Sequence, residues 1–187
     1  MKIALFNSFH VTRPYAFRIH EQLKKLKLDS TLFYTYYFSQ DFNDPTIKSI
    51  KPTPLPIFRQ ILNDYLFYPK KIPSGFEVYH FTNQGMANYM KYVNGKKVIT
   101  IHDVAPYLHK GKTYIQDYLT KRILKNVTLA DRIVTISKNT KNEVVKYLKI
   151  DPSKIGVIYN GITQGKFKIL KNKNELKKKF NCENKRV

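Results

Sequence analysis

The stretch ADRIVTISKNTKNEVVKYLKIDPSKIGVIYNGI, residues 130–162, predicts a strand, a helix and a second strand in succession. Its two apolar runs, RIVTI at Arg132–Ile136 and KIGVIY at Lys154–Tyr159, have the length and β-branched content of buried strands. Ser137 follows the first run at the position of a helix N-cap. Because parallel strands need a crossover of about this length, the stretch favours an α/β protein with a parallel sheet.

The same alternation of strand and helix extends over the rest of the chain. Strands are predicted at Lys2–Asn7, Thr31–Phe38, Glu77–Phe81 and Lys97–Ile101, and helices from Pro14 and over Ile57–Tyr68, Gly85–Val93 and Tyr114–Leu129, with a proline-rich loop at Asp41–Pro56. The strands are continuous apolar runs, which indicates that helices cover both of their faces. We therefore predict an α/β fold with a doubly wound, mostly parallel Rossmann-like sheet and helices on both faces.

Length and composition exclude several classes of protein. The chain has 187 residues, of which 42% are hydrophobic, so it is long and apolar enough to bury a core of its own. Its single cysteine excludes an internal disulfide framework and a cysteine-rich zinc site. The N-terminal segment has no signal-peptide core, and no apolar run approaches the ~18 residues of a membrane-spanning helix. We expect a cytoplasmic protein, with a peripheral position on the inner face of the membrane left open.

The charge of the chain is strongly positive. Its 34 Lys and Arg against 13 Asp and Glu give a formal net charge of +21. Residues 94–187 hold 22 of the basic and 7 of the acidic residues, so they carry +15 of that charge. Such an excess favours anionic partners, namely phosphates, an anionic membrane surface or nucleic acid. A lysine-rich surface of no functional meaning is the alternative explanation.

Candidate binding residues follow the predicted strands, because ligands of doubly wound sheets bind beyond the carboxyl ends of the strands. These residues are Asn7, Ser8 and His10 after the first strand, Asn83 after Phe81, His102 and Asp103 after Ile101, Ser137 after Ile136, and Asn160 and Gly161 after Tyr159. For Ser137 a plain helix cap is a better explanation than a binding role, although Thr140 and Glu143 fit a capping box that would begin the helix later. Asn160 and Gly161 are also suited to a tight turn, since both accept a positive φ.

His102 is the strongest candidate for a catalytic residue. It stands where a buried strand meets the predicted ligand edge, beside the carboxylate of Asp103. An imidazole can donate a hydrogen bond to a sugar hydroxyl or to an anionic oxygen. The alternative is a histidine that only holds the turn before Asp103.

Several catalytic and cofactor motifs are missing. The first strand is followed by Asn7-Ser8-Phe9-His10 and not by G-x-G-x-x-G, which argues against a dinucleotide-binding dehydrogenase. The sequence has no Walker A motif and no G-x-S-x-G nucleophile elbow. No cluster of His, Cys and carboxylates has the spacing of metal ligands, so we predict no metal site and no bound cofactor.

Two stretches resemble the amino-terminal domain of family 4 glycosyltransferases. KVITIHDVAPYLHK at Lys97–Lys110 ends a strand in His102-Asp103, as the family does. Residues 130–162 then reproduce its Ala-Asp pair, its strand ending in serine and its Asn-Gly-Ile, with Phe167 a few residues on. The resemblance covers Lys97–Phe167 and is weaker before it.

The resemblance implies the GT-B fold, in which two Rossmann-like domains face a cleft. The amino-terminal domain mostly binds the acceptor, and the carboxy-terminal domain binds a nucleotide-diphosphate sugar as donor. Transfer retains the anomeric configuration and needs no metal. On this basis His102 would contact the donor sugar or its phosphate, and Asn160-Gly161 would begin the passage into the second domain.

The resemblance also sets the expected organisation of the chain. Residues 1–168 would form the acceptor-side domain, and residues 169–187 a lysine-rich linker towards a donor-binding domain that this chain lacks. The family's glycine-rich loop is replaced here by Asn7-Ser8-Phe9-His10. Its Glu-x7-Glu signature is matched by Glu175 and Glu183 in spacing alone, so we discount that match. The chain by itself is therefore expected to be inactive.

Other functions remain open at this point. The first is a basic Rossmann-like module that binds nucleic acid or an anionic membrane surface without catalysis, of which nucleic acid is the less favoured partner. The second is a GT-B relative that transfers no sugar to an acceptor, such as a sugar-nucleotide epimerase. A homodimer is also expected, because the family's closing helix would be missing and its apolar contact surface uncovered.

Overall fold

A computed structural model describes residues 1–8, 13–35, 43–54, 63–108, 114–162, 173–179 and 181–182. Its described residues form one sheet of seven parallel strands. The strands are β1 (Lys2–Asn7), β2 (Asp29–Tyr34), β3 (Ile47–Ser49), β4 (Val78–Phe81), β5 (Lys96–Ile101), β6 (Arg132–Thr135) and β7 (Ile155–Val157). They lie in the order β3-β2-β1-β4-β5-β6-β7. The predicted fold class is confirmed, and the described part of the sheet is wholly parallel.

Helices connect the strands. The α-helices are α1 (Arg13–Lys25), α2 (Tyr68–Lys70), α3 (Ala105–Leu108), α4 (Tyr114–Lys125), α5 (Lys138–Leu148) and α6 (Lys173–Lys179), and a π-helical turn, Asn63–Phe67, leads into α2. Three 3-10 segments span Gln84–Tyr92, Asn126–Leu129 and Pro152–Lys154. Among the described residues, none of the helices is long and apolar enough to cross a membrane.

The sheet is buried on both faces, as the continuous apolar strands predicted. On one face Phe6 stacks on Phe33 and Phe81, with ring centroids 5.0 and 5.4 Å apart. On the other face Leu5 packs with Leu32 and with Ala16 of α1. Successive side chains of a strand point to opposite faces, so Leu5 and Phe6 belong to different halves of the core.

Some predicted elements have different bounds. Asp41–Pro56 was predicted to be loop, but it contains β3, a short edge strand in which only Ile47 is buried. Three residues are too few to show any hydrophobic period. The predicted helix Tyr114–Leu129 ends as α-helix at Lys125 and continues as a 3-10 segment. Residues 36–38 of the predicted second strand and residues 55–62 of the predicted loop and helix lie outside the described residues. So do residues 163–172, where the predicted domain passes into the predicted linker.

The strand order reverses between β1 and β4. The connection after β1 leads to β2 on one side, while β4 and the later strands continue on the other. In parallel sheets this reversal opens a crevice at the carboxyl ends of the two strands, where ligands bind. Phe6 pairs with Phe81 in the register, so Asn7 and Thr82 are neighbours at the mouth of the crevice.

Candidate functional site

Polar side chains from β1 and β4 meet at this crevice. The Thr82 hydroxyl lies 2.9 Å from both the Phe6 carbonyl oxygen and Asn7 Oδ1, so it donates to this pair of acceptors. Asn83 Nδ2 donates to Ser8 Oγ at 3.2 Å. The structure thus brings together three of the predicted binding residues, Asn7, Ser8 and Asn83, in what we call the crevice cluster.

Asn83 keeps one buried acceptor free within the crevice cluster. The residue is 2% exposed, and its Oδ1 has no hydrogen-bond partner among the described residues. Leaving a buried amide oxygen unpaired costs roughly 1–3 kcal/mol. An unpaired acceptor in a crevice of this kind is well placed to receive a hydrogen bond from a hydroxyl of a ligand.

His102 lies at the carboxyl end of β5, one strand along from the crevice cluster. Its backbone N–H donates to Gln84 Oε1 at 3.2 Å, and its ring Nε2 lies 2.9 Å from the Thr82 carbonyl oxygen. A carbonyl only accepts, so Nε2 carries the proton of this hydrogen bond. The ring is half-buried, and among the described residues this is its one hydrogen bond. Its second nitrogen, Nδ1, is the atom that remains for a ligand.

Tyr15 holds the other side of the His102 ring. The two rings meet edge to face with centroids 5.2 Å apart. The Tyr15 hydroxyl hydrogen-bonds Thr100 Oγ1 at 3.1 Å, and that oxygen lies 2.9 Å from His80 Nε2. Burial raises the pKa of Tyr15 and lowers the pKa of His80 to about 4, so both side chains are neutral at pH 7.

Sequence reasoning missed this support of His102. Tyr15 and Thr100 are 85 residues apart in the chain, and neither directly follows a strand. Thr100 lies inside an apolar strand, where a threonine gives no sign of a ligand site. The one signal available was the position of Tyr15 at the start of the helix that follows β1, since such helices begin beside the ligand edge.

Two other predicted residues have structural partners. Asp103 is exposed, and its Oδ1 accepts from the Ala105 backbone N–H at 3.0 Å, at the start of α3. Ser137 caps α5, since its Oγ accepts from the Thr140 backbone N–H at 3.0 Å. Thr140 Oγ1 donates to the His102 carbonyl oxygen at 3.3 Å, which joins the start of α5 to the His102 turn.

The later start proposed for α5 is wrong. A capping box begun at Thr140 would have placed this threonine outside the helix, yet it is the third helical residue. Glu143 instead accepts from Asn139 Nδ2 at 2.9 Å. Ser137 is the N-cap because its own hydroxyl reaches the free N–H groups of the first turn.

The remaining predicted residues lie apart from the crevice cluster or outside the described residues. Asn160 and Gly161 follow β7, three strands from β4, and both are exposed. Neither has a positive φ, so neither uses the conformational tolerance on which the expected tight turn was based. His10 lies outside the described residues.

The site consists of side chains that act through hydrogen bonds. Amides, hydroxyls and an imidazole, the groups of the crevice cluster and His102, suit a ligand with many hydroxyl groups and phosphate oxygens. Within the described ranges, no three His, Cys, Asp or Glu side chains are grouped so that they could hold a metal ion.

Comparisons with known proteins agree with this geometry. The family model Glycosyltransferase Family 4 matches residues 13–164, well over half of the chain. The chain belongs to glycosyltransferase family 4. The match includes Tyr15, the crevice side of β4, His102 and Ser137, so these residues all fall within the family's domain.

One curated protein and one solved structure are similar to this family 4 domain. It is 31% identical over 72 residues to the O-antigen chain mannosyltransferase RfbU of Salmonella typhimurium, which is 38% of this chain and 20% of the relative. The crystal structure of a glycosyltransferase from Rickettsia africae superposes with a TM-score of 0.52 at 16% identity, covering 97% of this chain and 49% of that one. The chain therefore spans about half of the solved structure, and its fold is that of a Rossmann-like GT-B half.

Proposed function

We propose that this domain is the acceptor side of an enzyme that transfers a sugar from a nucleotide-diphosphate sugar to a glycan, lipid or small-molecule acceptor. The observation that carries the proposal is the position of His102 beside the crevice cluster, with one ring nitrogen fixed and the other left for a ligand. Membership of glycosyltransferase family 4 supports the class of reaction. Retention of the anomeric configuration is proposed on the same family resemblance.

His102 has the catalytic role in this proposal. Because Nε2 is held by the Thr82 carbonyl oxygen, the ligand meets Nδ1. A neutral ring would accept there from a sugar hydroxyl, whereas an imidazolium would donate to the donor sugar or a phosphate oxygen. We assign the donating form to the transition state, in which negative charge develops on the leaving diphosphate. The edge contact with Tyr15 keeps the ring in place for that hydrogen bond.

The crevice cluster binds substrate hydroxyls in this proposal. Asn7 and Ser8 stand where the family carries its glycine-rich loop. Asn83, at the end of β4, contributes a buried acceptor, Oδ1, that a sugar hydroxyl can satisfy. Asp103, Ser137, Asn160, Gly161 and His10 are proposed as further substrate contacts on the strength of their places after strands. At Ser137 the proposed substrate contacts are made by its hydroxyl and by the backbone N–H groups at the start of α5.

The proposal includes a second domain. In this proposal residues 1–168 form the acceptor side, and residues 169–187 lead towards the donor side. Helix α6 (Lys173–Lys179) lies within that leading segment. Holding donor and acceptor in reacting geometry contributes up to about 7–11 kcal/mol to catalysis, and that requires both sides of the cleft. Residues 1–187 alone are therefore proposed to be inactive, and their exposed surfaces to favour a homodimer.

The test is an assay of the protein extended through a donor-side domain. A panel of nucleotide-diphosphate sugars is incubated with candidate acceptors, with and without a chelator, and the linkage of the product is determined by NMR. We expect transfer with retained anomeric configuration in both conditions, and no transfer by residues 1–187 alone.

Contrary results separate the alternatives. Conversion of one nucleotide sugar into another without any transferred product would identify an epimerase. Salt-sensitive binding of unrelated DNA or RNA, with no effect of any sugar nucleotide, would identify a nucleic-acid module. Inversion of the anomeric centre would agree with the proposed sugar transfer but contradict the proposed retaining mechanism.

A further inference from the structure

One face of α4 carries an exposed basic and aromatic stripe. It consists of Tyr114, Tyr118, Lys121, Arg122 and Lys125, all of which are exposed. At 100° per residue these five positions fall within an arc of about 100° around the helix axis. Ile123 and Leu124, which pack in the core, lie outside this arc.

The tyrosines of the stripe are unusually open to solvent. Tyr114 is 86% exposed and Tyr118 is 55% exposed, whereas Leu124, about 110° round the helix from the middle of the stripe, is 1% exposed. Spaced four residues apart, the two rings lie one turn above the other on the helix surface. Their exposure is therefore a property of the face and not of a single side chain.

The cations of the stripe have no acidic partners in the part of the chain that the structure describes. None of Lys121, Arg122 and Lys125 forms an ion pair with any described residue. Lys121 Nζ instead lies 5.7 Å from the centre of the Tyr107 ring. Asp117 is the one acidic residue of α4, and it is half-buried at the border of the stripe. The stripe thus presents three positive charges to an external partner.

We propose that the stripe docks this protein on an anionic lipid bilayer. Lys and Arg side chains bind lipid phosphates, and tyrosine rings settle at the level of the headgroups with their hydroxyls in water. A convex helix face fits a flat surface. Single-stranded nucleic acids are bound instead in grooves that follow the backbone, so a bilayer is the better match.

The stripe also begins beside the proposed ligand edge. β5 and β6 are parallel, so the chain must return from the carboxyl edge to the opposite edge between Ile101 and Arg132. Helix α4 makes this return, which places its Tyr114 end towards the edge that carries His102. If the proposed function holds, a bilayer bound there would present a lipid-borne acceptor to the site.

The test measures co-sedimentation of the 187-residue chain with vesicles of phosphatidylcholine alone or mixed with phosphatidylglycerol. We expect binding to the anionic vesicles only, weakened by salt. The variant Lys121→Glu, Arg122→Glu, Lys125→Glu should bind on the order of a hundredfold more weakly, since each basic residue near the surface contributes roughly fivefold. Because the chain has no Trp, Tyr118→Trp adds a single reporter whose emission should shift to the blue on the anionic vesicles.

A charge-matched variant controls for the overall charge of +21. Lys177→Glu, Lys178→Glu, Lys179→Glu makes the same charge change on α6 and should keep most of the binding. Equal losses in the two variants, or equal binding to both kinds of vesicle, would overturn the proposal. So would binding of a single-stranded oligonucleotide through the stripe without vesicle binding. None of these results depends on sugar transfer, so a failure here is distinct from a failure of the proposed function.

Discussion

The interior of the sheet and its carboxyl edge use the same side chain in different ways. His80 lies within β4, bonded to Thr100, and burial lowers its pKa to about 4. His102 follows the neighbouring strand, is half-buried and keeps Nδ1 unbonded among the described residues. Thr100 and Tyr15 connect the two rings. A histidine inside the sheet is therefore fixed and neutral, while one at the strand end is supported on one side and available on the other.

Removing the edge histidine should give the largest effect. In the protein that includes a donor-side domain, His102→Ala loses one hydrogen-bond donor to the transition state. Such a loss typically lowers turnover by about a hundred- to a thousandfold. Steady-state kinetics would show this, with circular dichroism to confirm an intact fold. Turnover equal to that of the wild type would contradict the role given to His102.

Acid should destabilise the protein through the interior histidine. The unfolded state binds a proton at His80 below its ordinary pKa of 6.5, whereas the folded state does so only near 4. The free energy of unfolding should therefore fall as the pH drops from 6.5 to 4, by up to about 3 kcal/mol from this group. Urea denaturation at several pH values would measure the fall.

The matched variant for this prediction is His80→Gln, whose side-chain amide can still hydrogen-bond Thr100. It should flatten the pH dependence between 6.5 and 4, although His20, whose pKa burial also lowers, retains part of it. An unchanged slope in His80→Gln would show that His80 is not the group responsible.

A smaller effect is expected at Ser137, which follows β6 at the carboxyl edge of the sheet and caps α5. Ser137→Ala should lower the free energy of unfolding by about 1 kcal/mol, because the Thr140 N–H loses its acceptor. Ser137→Asp, which restores an acceptor, should recover most of that stability. If Ser137→Ala is as stable as the wild type, the N-cap contributes nothing and the serine is free for a ligand.

Sequence patterns predicted the sheet well because its strands are buried on both faces. Runs such as KIALFN and KVITI are mostly apolar and do not alternate with polar residues, which is typical of parallel strands between helices. β3 was not predicted, because an edge strand with one buried residue, Ile47, has no hydrophobic period to detect. Sequence patterns also could not predict that Gln84–Tyr92 forms a 3-10 segment, since that form depends on how Met86, Tyr89 and Met90 pack.

The candidate site was predicted in part. Positions after strands led to Asn7, Ser8, Asn83 and His102, because a parallel sheet brings strand ends to one edge. The same rule could not show that the Asp103 side chain also hydrogen-bonds at the start of α3, and it left open whether Ser137 caps α5. It also could not find Tyr15, whose contact with the His102 ring exists only once the chain has folded.

The most direct test follows the imidazole resonances of ¹⁵N-histidine-labelled protein that includes a donor-side domain. A nucleotide-diphosphate sugar is added, and calorimetry confirms that it binds. The account predicts that the ring resonances of His102 shift on binding while those of His80, one strand away inside the sheet, stay in place. Binding that leaves His102 unmoved, or that shifts both histidines alike, would contradict the claim that His102 at the carboxyl edge meets the substrate.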